Sequence, residues 1–337
     1  MTRARERPGR RRRRPVGPDH DPPNRGGTVS PAAPSAEPPV AEPPVAEDRP
    51  RVPAVPASSL VLVRPGADGE TSVFTVRRAG TMAFSAHATA FPGGRVDPAD
   101  DLPDRLWEGT DLADWGRRLG LPHEPADAHG TLAELDPADG AGRVLAAAVR
   151  ETFEETGVLL ARDAATGTPV DPARVAAFPD ELRDAVERHE VDFGELLDRE
   201  GLRPDARALV PWSRWITPHG GPRRYDTFFF AVHLPQGQSP ERMSSEAASH
   251  GWASPAELLR RFRAGEVNLM APTWWQLRTL VDAGEDIHAG RSRFEPLEGV
   301  MLVAGQGPVF PHADEYLRDL TAFRAAAQVE ESKDNIL

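Results

Sequence analysis

The feature that constrains this chain most is the run Arg-Glu-Thr-Phe-Glu-Glu-Thr-Gly-Val at positions 150–158. In a helix, Glu151, Glu154 and Glu155 share one face, because residues three and four apart are neighbours. Apolar side chains gather on an adjacent arc, which can pack on a core. Gly157 stands where a helix end favours a left-handed residue. The run therefore predicts the end of a core-packed helix that carries three carboxylates on one face.

Three like charges on one helix face repel one another by a few tenths of a kcal/mol per pair in water. A divalent cation reverses this repulsion, because hard ions such as Mg²⁺ take carboxylate oxygens as ligands. A solvated acidic face is the ordinary alternative for this spacing. The flanks favour the cation, since Arg150 precedes the first acid and Phe91-Pro92-Gly93-Gly94 is typical of a strand end followed by a glycine turn.

These residues resemble the second half of the Nudix box, G-x5-E-x7-R-E-U-x-E-E-x-G-U, in which U is an aliphatic residue. The run preceded by the Gly-Gly turn matches this pattern with two departures. Thr152 occupies the first aliphatic position. Asp100 stands where a glutamate is expected after Gly94, and residues 101–149 then separate it from Arg150. The seven-residue spacer would place Gly142 at the glutamate position.

An interrupted box resembles one Nudix subfamily, the acyl-coenzyme A diphosphatases of the peroxisomal type, which carry an insertion inside the box. Downstream segments are similar to that group as well. They are Trp-x-x-Trp-x-Thr-Pro at 212–218, Arg-Arg-(aromatic)-Asp-Thr at 223–227, Glu246 followed by Trp252 and Pro255, and Leu-x-x-Pro-Thr at 269–273. The resemblance covers about 58–285.

The resemblance implies an α/β fold, a Nudix α/β/α sandwich with a mixed β-sheet and extra helical insertions. The pattern predicts strands at 58–64 and 71–78 that form a hairpin, and a box helix from about Arg143 to Gly157. We expect residues 57–330 to form the Nudix domain, with insertions at about 101–140 and 170–205, and 331–337 to form a C-terminal tail. The first insertion is expected to form a flap beside the active site or an inert surface loop.

Residues 1–56 are expected to be a disordered tail rich in Pro, Arg and Ala. They contain 14 of the 35 prolines, so they bury too little apolar surface to offset the entropy of ordering. Residues 1–14 hold eight arginines and one glutamate, although the whole chain has a net charge of −12. The body is therefore acidic, which argues against a nucleic-acid partner.

The chain contains no cysteine, which excludes disulfides and thiolate nucleophiles. No apolar run approaches the ~18 residues of a membrane span, so we expect no membrane association. The C-terminal Asn335-Ile336-Leu337 is not a Ser-Lys-Leu peroxisomal signal, which makes a cytoplasmic location the default. We expect a monomer or a homodimer whose partner is a small-molecule nucleoside diphosphate substrate.

The resemblance also implies roles for single residues. Glu151, Glu154 and Glu155 would bind Mg²⁺ or Mn²⁺. Arg150 would orient one of the glutamates through an ion pair. Gly93 and Gly94 would let the backbone approach the pyrophosphate and the metal closely.

The catalytic base and the substrate contacts are less sharply defined. Glu151 and Glu246 are both candidates for the base. The substrate-binding arginines are expected at Arg77 and Arg78 on one strand and at Arg223 and Arg224 on another, where a guanidinium can bind a phosphate through two hydrogen bonds. One of the last two should face solvent if the strand pairs regularly.

The function implied is metal-dependent hydrolysis of a nucleoside diphosphate linked to another moiety. The first choice of substrate is coenzyme A or acyl-CoA, giving 3′,5′-ADP and (acyl-)phosphopantetheine. ADP-ribose or a dinucleotide such as NADH is the alternative substrate. A ligand-sensing Nudix regulator without catalysis is the alternative outside the enzymes. The three retained glutamates argue against it, whereas Asp100 and Gly142 leave room for it.

Overall fold

The computed structural model of the 337-residue chain describes residues 52–66, 69–78, 88–121, 132, 134–217, 223–240, 247–284, 287, 295–297 and 310–334. In these ranges a mixed β-sheet carries helices on both faces, which confirms the predicted α/β/α sandwich. No helix within them is long and apolar enough to cross a lipid bilayer.

The sheet is built around its first strand. The strands are β1 (Val55–Pro65), β2 (Thr71–Arg78), β3 (Ala88–Ala90), β4 (Gly93–Arg95), β5 (Ala161–Asp163), β6 (Leu202–Pro204), β7 (Val210–Ile216), β8 (Tyr225–His233), β9 (Ala247–Ala253), β10 (Asn268–Leu269) and β11 (Glu295–Leu297). The order is β10-β3-β2-β1-β8-β7-β11, with β4 on β1 and β9 on β2, while β5 and β6 pair separately. The predicted hairpin is confirmed, since Val63 lies opposite Val73, whereas β1 and β8 run parallel.

The helices are α1 (Leu112–Arg118), α2 (Pro137–Thr156), α3 (Pro172–Ala176), α4 (Asp180–Glu187), α5 (Phe193–Arg199), α6 (Pro255–Arg263), α7 (Ala271–Ala283) and α8 (Ala313–Asp334). The box helix α2 begins at Pro137, six residues before the predicted start at Arg143. Asp136 accepts a hydrogen bond from the Ala138 N–H, and proline suits the first helical position. At the other end Gly157 adopts a φ of 75°, as its sequence position predicted.

The two faces of the sheet bury separate apolar cores, because successive side chains of a strand point to opposite faces. On one face, Leu60 and Leu62 pack with α2 and with helices of both predicted insertions. On the other face, Val61 and Val63 pack with α6, α7 and α8. Helix α2 is thus fixed against the sheet along its apolar side, which leaves its acidic face to line a cavity.

The two regions predicted as insertions contain short helices. Residues 101–140 include a 3-10 turn at Asp104–Trp107 and α1, while 170–205 include α3, α4 and α5. Residues 122–130, most of the remaining loop, lie outside the described ranges. The boundaries of the domain, of its insertions and of both tails stay a prediction.

A buried ion pair ties the loop that follows α1 to the sheet. Arg214 on β7 donates from Nε and Nη2 to the carboxylate of Asp226 on β8, at 2.8 and 2.7 Å. The Nη1 group of Arg214 donates to the carbonyls of Leu119 and Gly120, at 3.4 and 3.2 Å. Both side chains of the pair are at most 1% exposed. Arg214 therefore joins two strands to the loop that follows α1.

Candidate active site

A cavity of about 920 Å³ opens between the glycine turn, the acidic face of α2, the start of β8 and the end of α4. Eight residues that the sequence assigned to the site line this cavity. They are Gly93, Gly94, Arg150, Glu151, Glu154, Glu155, Arg223 and Arg224. The fold thus brings together residues that are up to 131 positions apart in the chain (224 − 93).

The glycine turn contacts two of the three glutamates directly. The N–H of Gly93 donates to the carboxylate of Glu155 at 3.0 Å. The carboxylate of Glu151 lies against Gly94, where a Cβ atom would overlap it. At Gly93, with a φ of 150°, a Cβ atom would collide with the backbone of Ser58. Glycine is therefore required at position 93 by the neighbouring backbone, and glycine at position 94 leaves the space that the Glu151 carboxylate occupies.

Arg150 joins the acidic face to the turn. Its Nη1 group donates to Glu151 at 2.9 Å and to Glu154 at 3.1 Å. Its Nε and Nη2 groups donate to the two carboxylate oxygens of Asp100, at 2.8 and 3.0 Å. Nη2 also donates to the Arg95 carbonyl at 3.0 Å. Arg150 thus holds two box glutamates, one more than the sequence predicted.

Asp100 supplies the carboxylate that the box pattern expects from a glutamate. It ends a 3-10 turn whose capping box adds a hydrogen bond from the Asp97 N–H at 2.7 Å, and it is 1% exposed. The sequence marked Asp100 as a departure from the pattern and gave it no role. Its position six residues after Gly94, where the box pattern expects a glutamate, is the sequence signal that it belongs to the site.

The electrostatics of the acidic face follow from burial. Burial raises the pKa of Glu151 to about 7, with Arg150 limiting the rise and Glu154 adding to it. Burial also raises the pKa of Glu154. Burial opposes the charge on Arg150, but its hydrogen bond with Asp100 and the neighbouring carboxylate charges raise the pKa of Arg150 above its ordinary value. The ionised form of these buried glutamates is therefore disfavoured, and a bound cation would stabilise it.

Asp100→Asn is expected to lower kcat by about 10- to 100-fold with a smaller change in KM. The substitution weakens the hydrogen bonds that orient Arg150, but it removes no contact with the substrate. Steady-state kinetics measures both constants. Asp101→Asn is the matched control, since Asp101 pairs with Arg143 at 3.0 Å and its side chain is 61% exposed. Equal effects of the two substitutions would contradict a positioning role for Asp100.

The donor set fits a hard divalent cation by its chemistry. The described residues that line the cavity include five carboxylates, Asp97, Glu151, Glu154, Glu155 and Glu187, against four arginines. A diphosphate would meet a net negative wall without a cation. In the described part of the chain, no three His, Cys, Asp or Glu side chains are grouped to hold a metal ion. In this structure Glu151 and Glu154 accept hydrogen bonds from Arg150, and Glu155 accepts one from the N–H of Gly93.

The remaining predicted arginines divide between the cavity and the surface. Arg223 is exposed and Arg224 is buried at 3%, so one of the two faces solvent as expected, although both precede Tyr225, the first residue of β8. Arg224 donates to the carbonyls of Thr217 at 2.9 Å and Val52 at 2.8 Å, so two nitrogens of its guanidinium are bonded to the backbone. Arg77 is exposed on β2 and is not among the residues that line the cavity.

Two predicted positions lie outside what the structure describes, namely the side chain of Arg78 and the candidate base Glu246. Two other residues were missed by sequence reasoning. Glu187, at the end of α4, and His189, just after it, both line the cavity. No local pattern marks them, because the spacing of apolar residues in α4 identifies only its buried side.

Comparison with known proteins decides the family. The family model of the NUDT19 Nudix domain matches residues 52–280, more than half of the chain. The chain belongs to the NUDT19 Nudix family. It is therefore a Nudix hydrolase, which confirms the resemblance seen in its sequence.

Two relatives align with this chain over more than two thirds of their own length. The acyl-coenzyme A diphosphatase NUDT19 of Gallus gallus is 32% identical over 266 residues, 68% of this chain and 69% of that one. The protein of the same name from Homo sapiens is 30% identical over 293 residues, 78% and 76% of the two chains. The crystal structure of a NUDIX hydrolase from Alicyclobacillus acidocaldarius superposes with a TM-score of 0.51 at 28% identity, covering 68% of this chain and 91% of that one.

Proposed function

We propose that this Nudix hydrolase cleaves the diphosphate of coenzyme A or acyl-CoA to 3′,5′-ADP and (acyl-)phosphopantetheine, using Mg²⁺ or Mn²⁺. The observation that carries the proposal is the contact of the glycine turn with Glu151 and Glu155 inside one cavity. The choice of coenzyme A rests on the relatives, which are named acyl-coenzyme A diphosphatases.

Each residue of the site has a defined part in this proposal. Glu151, Glu154 and Glu155 would hold the divalent ion, which supplies charge neutralisation and an activated water when bound. Arg150 keeps two of these carboxylates in place through its hydrogen bonds. The glycine turn leaves room for the diphosphate to approach the backbone.

The substrate contacts are assigned on exposure and position. Arg223 lies exposed at the cavity, where its guanidinium can bind a phosphate of the substrate through two hydrogen bonds. Buried Arg224 supports the same wall through the carbonyls of Thr217 and Val52. Glu151 and Glu246 stay the candidates for the base that activates water. The cytoplasmic location and the monomeric or dimeric state also stay predictions.

A substrate panel tests the proposal. We expect coenzyme A and acetyl-CoA, incubated with the protein and Mg²⁺, to give products with the masses of 3′,5′-ADP and the matching phosphopantetheine, and EDTA to stop the reaction. ADP-ribose and NADH serve as the comparison, because they contain the same diphosphate without the pantetheine arm. Hydrolysis of ADP-ribose or NADH alone would contradict the coenzyme A assignment, and no Mg²⁺-dependent hydrolysis of any of them would contradict the proposal.

A further inference from the structure

The turn that follows α4 holds a histidine in an unfavourable backbone conformation. His189 has a φ of 54°, in the left-handed region that costs a non-glycine residue roughly 1–2 kcal/mol. His312 shares this conformation with a φ of 67°, but its Nδ1 atom contacts Glu315 at 2.9 Å. His189 instead lines the candidate active-site cavity. A strained residue at such a place is a reason to look for a function.

The backbone hydrogen bonds of the turn explain the left-handed conformation of His189, but they do not explain why this position carries an imidazole. The N–H of His189 donates to Val186 at 2.9 Å, and the N–H groups of Glu190 and Val191 both donate to the Ala185 carbonyl, at 2.8 and 3.1 Å. This tight ending of the helix requires a positive φ at position 189. Glycine would meet the requirement without strain. The histidine side chain therefore needs a separate explanation.

The turn lies beside the acidic end of the cavity. Glu187, two residues before His189, lines the same cavity as Glu151, Glu154 and Glu155. It is also near enough to Glu154 for its charge to contribute to the raised pKa of Glu154. The second inserted region thus places His189 on the wall that faces the box helix, where the diphosphate of the proposed substrate would bind.

At the acidic end of the cavity the box helix presents mainly hydrogen-bond acceptors. The glutamates there only accept hydrogen bonds when ionised, and the guanidinium of Arg150 already donates to Asp100, Glu151, Glu154 and the Arg95 carbonyl. A diphosphate offers only acceptor oxygens, so it requires donors from the surrounding walls. An imidazole carries at least one N–H in each of its protonation states.

We propose that His189 is a substrate-binding residue whose imidazole N–H donates a hydrogen bond to the diphosphate of the substrate. This inference rests on the proposed function, because it places a diphosphate at the acidic end of the cavity. It also gives the second inserted region a role in the reaction, since that region supplies a substrate contact from outside the Nudix box.

His189→Gly tests the proposal, because it removes the imidazole and relieves the backbone strain together. We expect the midpoint of thermal unfolding to stay equal or rise, while kcat/KM for the hydrolysed diphosphate falls about tenfold. His189→Asn tolerates the same backbone and retains an N–H donor, so it is expected to recover part of the activity. Arg188→Ala is the matched control, since Arg188 pairs with Glu190 at 2.9 Å and is exposed.

Activity of His189→Gly within twofold of the wild type would overturn the proposal. The comparison uses whichever of coenzyme A, ADP-ribose and NADH the wild type hydrolyses, so a wrong substrate assignment leaves this test intact. If the wild type hydrolyses none of them, the proposed function fails, and the dissociation constant of ADP in Mg²⁺ becomes the readout. About tenfold weaker ADP binding in His189→Gly would then support the contact, and equal binding would overturn it.

Discussion

Glu154→Gln and Glu155→Gln are each expected to lower kcat/KM for Mg²⁺-dependent hydrolysis by at least about 100-fold. Each change removes one ionised oxygen donor from the proposed cation site, and such a site contributes several kcal/mol to the stabilisation of charge in the transition state. Initial rates on the substrate found in the panel measure the effect. In Glu155→Gln the new amide oxygen can still accept from the Gly93 N–H, so the turn should be retained.

Asp139→Asn is the matched control for these two variants. Asp139 lies in the first turn of the same helix α2 and is exposed. We expect its activity to stay within twofold of the wild type. The midpoint of thermal unfolding gives a second readout, because Mg²⁺ that binds only the folded protein raises it in the wild type and not in the glutamine variants. Unchanged rates in both Glu154→Gln and Glu155→Gln would reject the proposed site.

Arg214→Met is expected to lower the free energy of unfolding by about 3–5 kcal/mol, the usual loss when one partner of a buried ion pair is removed. Asp226, which is 0% exposed, would lose the charge that its carboxylate faces at 2.7 Å. The carbonyls of Leu119 and Gly120 would also lose their donor. Urea unfolding followed by circular dichroism measures the change.

Arg105→Met isolates the effect of burial. Arg105 binds Asp198 through the same two nitrogens, at 3.0 Å each, but the two side chains are 62% and 45% exposed. We expect a much smaller loss for this surface pair, because water screens the two exposed charges. The double variant Arg214→Met/Asp226→Leu should recover much of the stability, because no unpaired charge stays buried. Equal losses for Arg214→Met and Arg105→Met would contradict the argument from burial.

The elements that could be predicted from sequence are those with local start and stop signals. Helix α6 (Pro255–Arg263) carries such a start signal, because Ser254 caps it and proline opens it. The start of α2 was predicted too late. Its signal, Asp136 before Pro137, lies in a stretch whose Pro, Gly and Asp content resembles a loop. The loop-like composition of this stretch concealed the start of α2, which the N-cap residue Asp136 sets.

The site was predictable as far as the motif reaches. The box assigned Glu151, Glu154 and Glu155 and the glycine turn, and the fold places them in one cavity. The partner of Arg150 was not assigned, because 49 residues (101–149) separate it from Asp100 and only the folded chain joins them. Glu187 and His189 come from the end of α4 and the turn that follows it, outside the box. Residues that meet only across a cavity have no regular spacing in the sequence, so their contact could not be predicted from it.

The interrupted box is closed by three direct contacts, namely Gly93 with Glu155, Gly94 with Glu151, and Asp100 with Arg150. None of them depends on how many residues lie between Asp100 and α2. Doubling the length of a flexible connection adds only about 0.6 kcal/mol of closure entropy. Residues added to a flexible part of this segment would therefore cost little, whereas loss of α1 would remove side chains that the core buries. Searches for distant family members should score these spatial pairs and leave the spacing between the two halves of the box open.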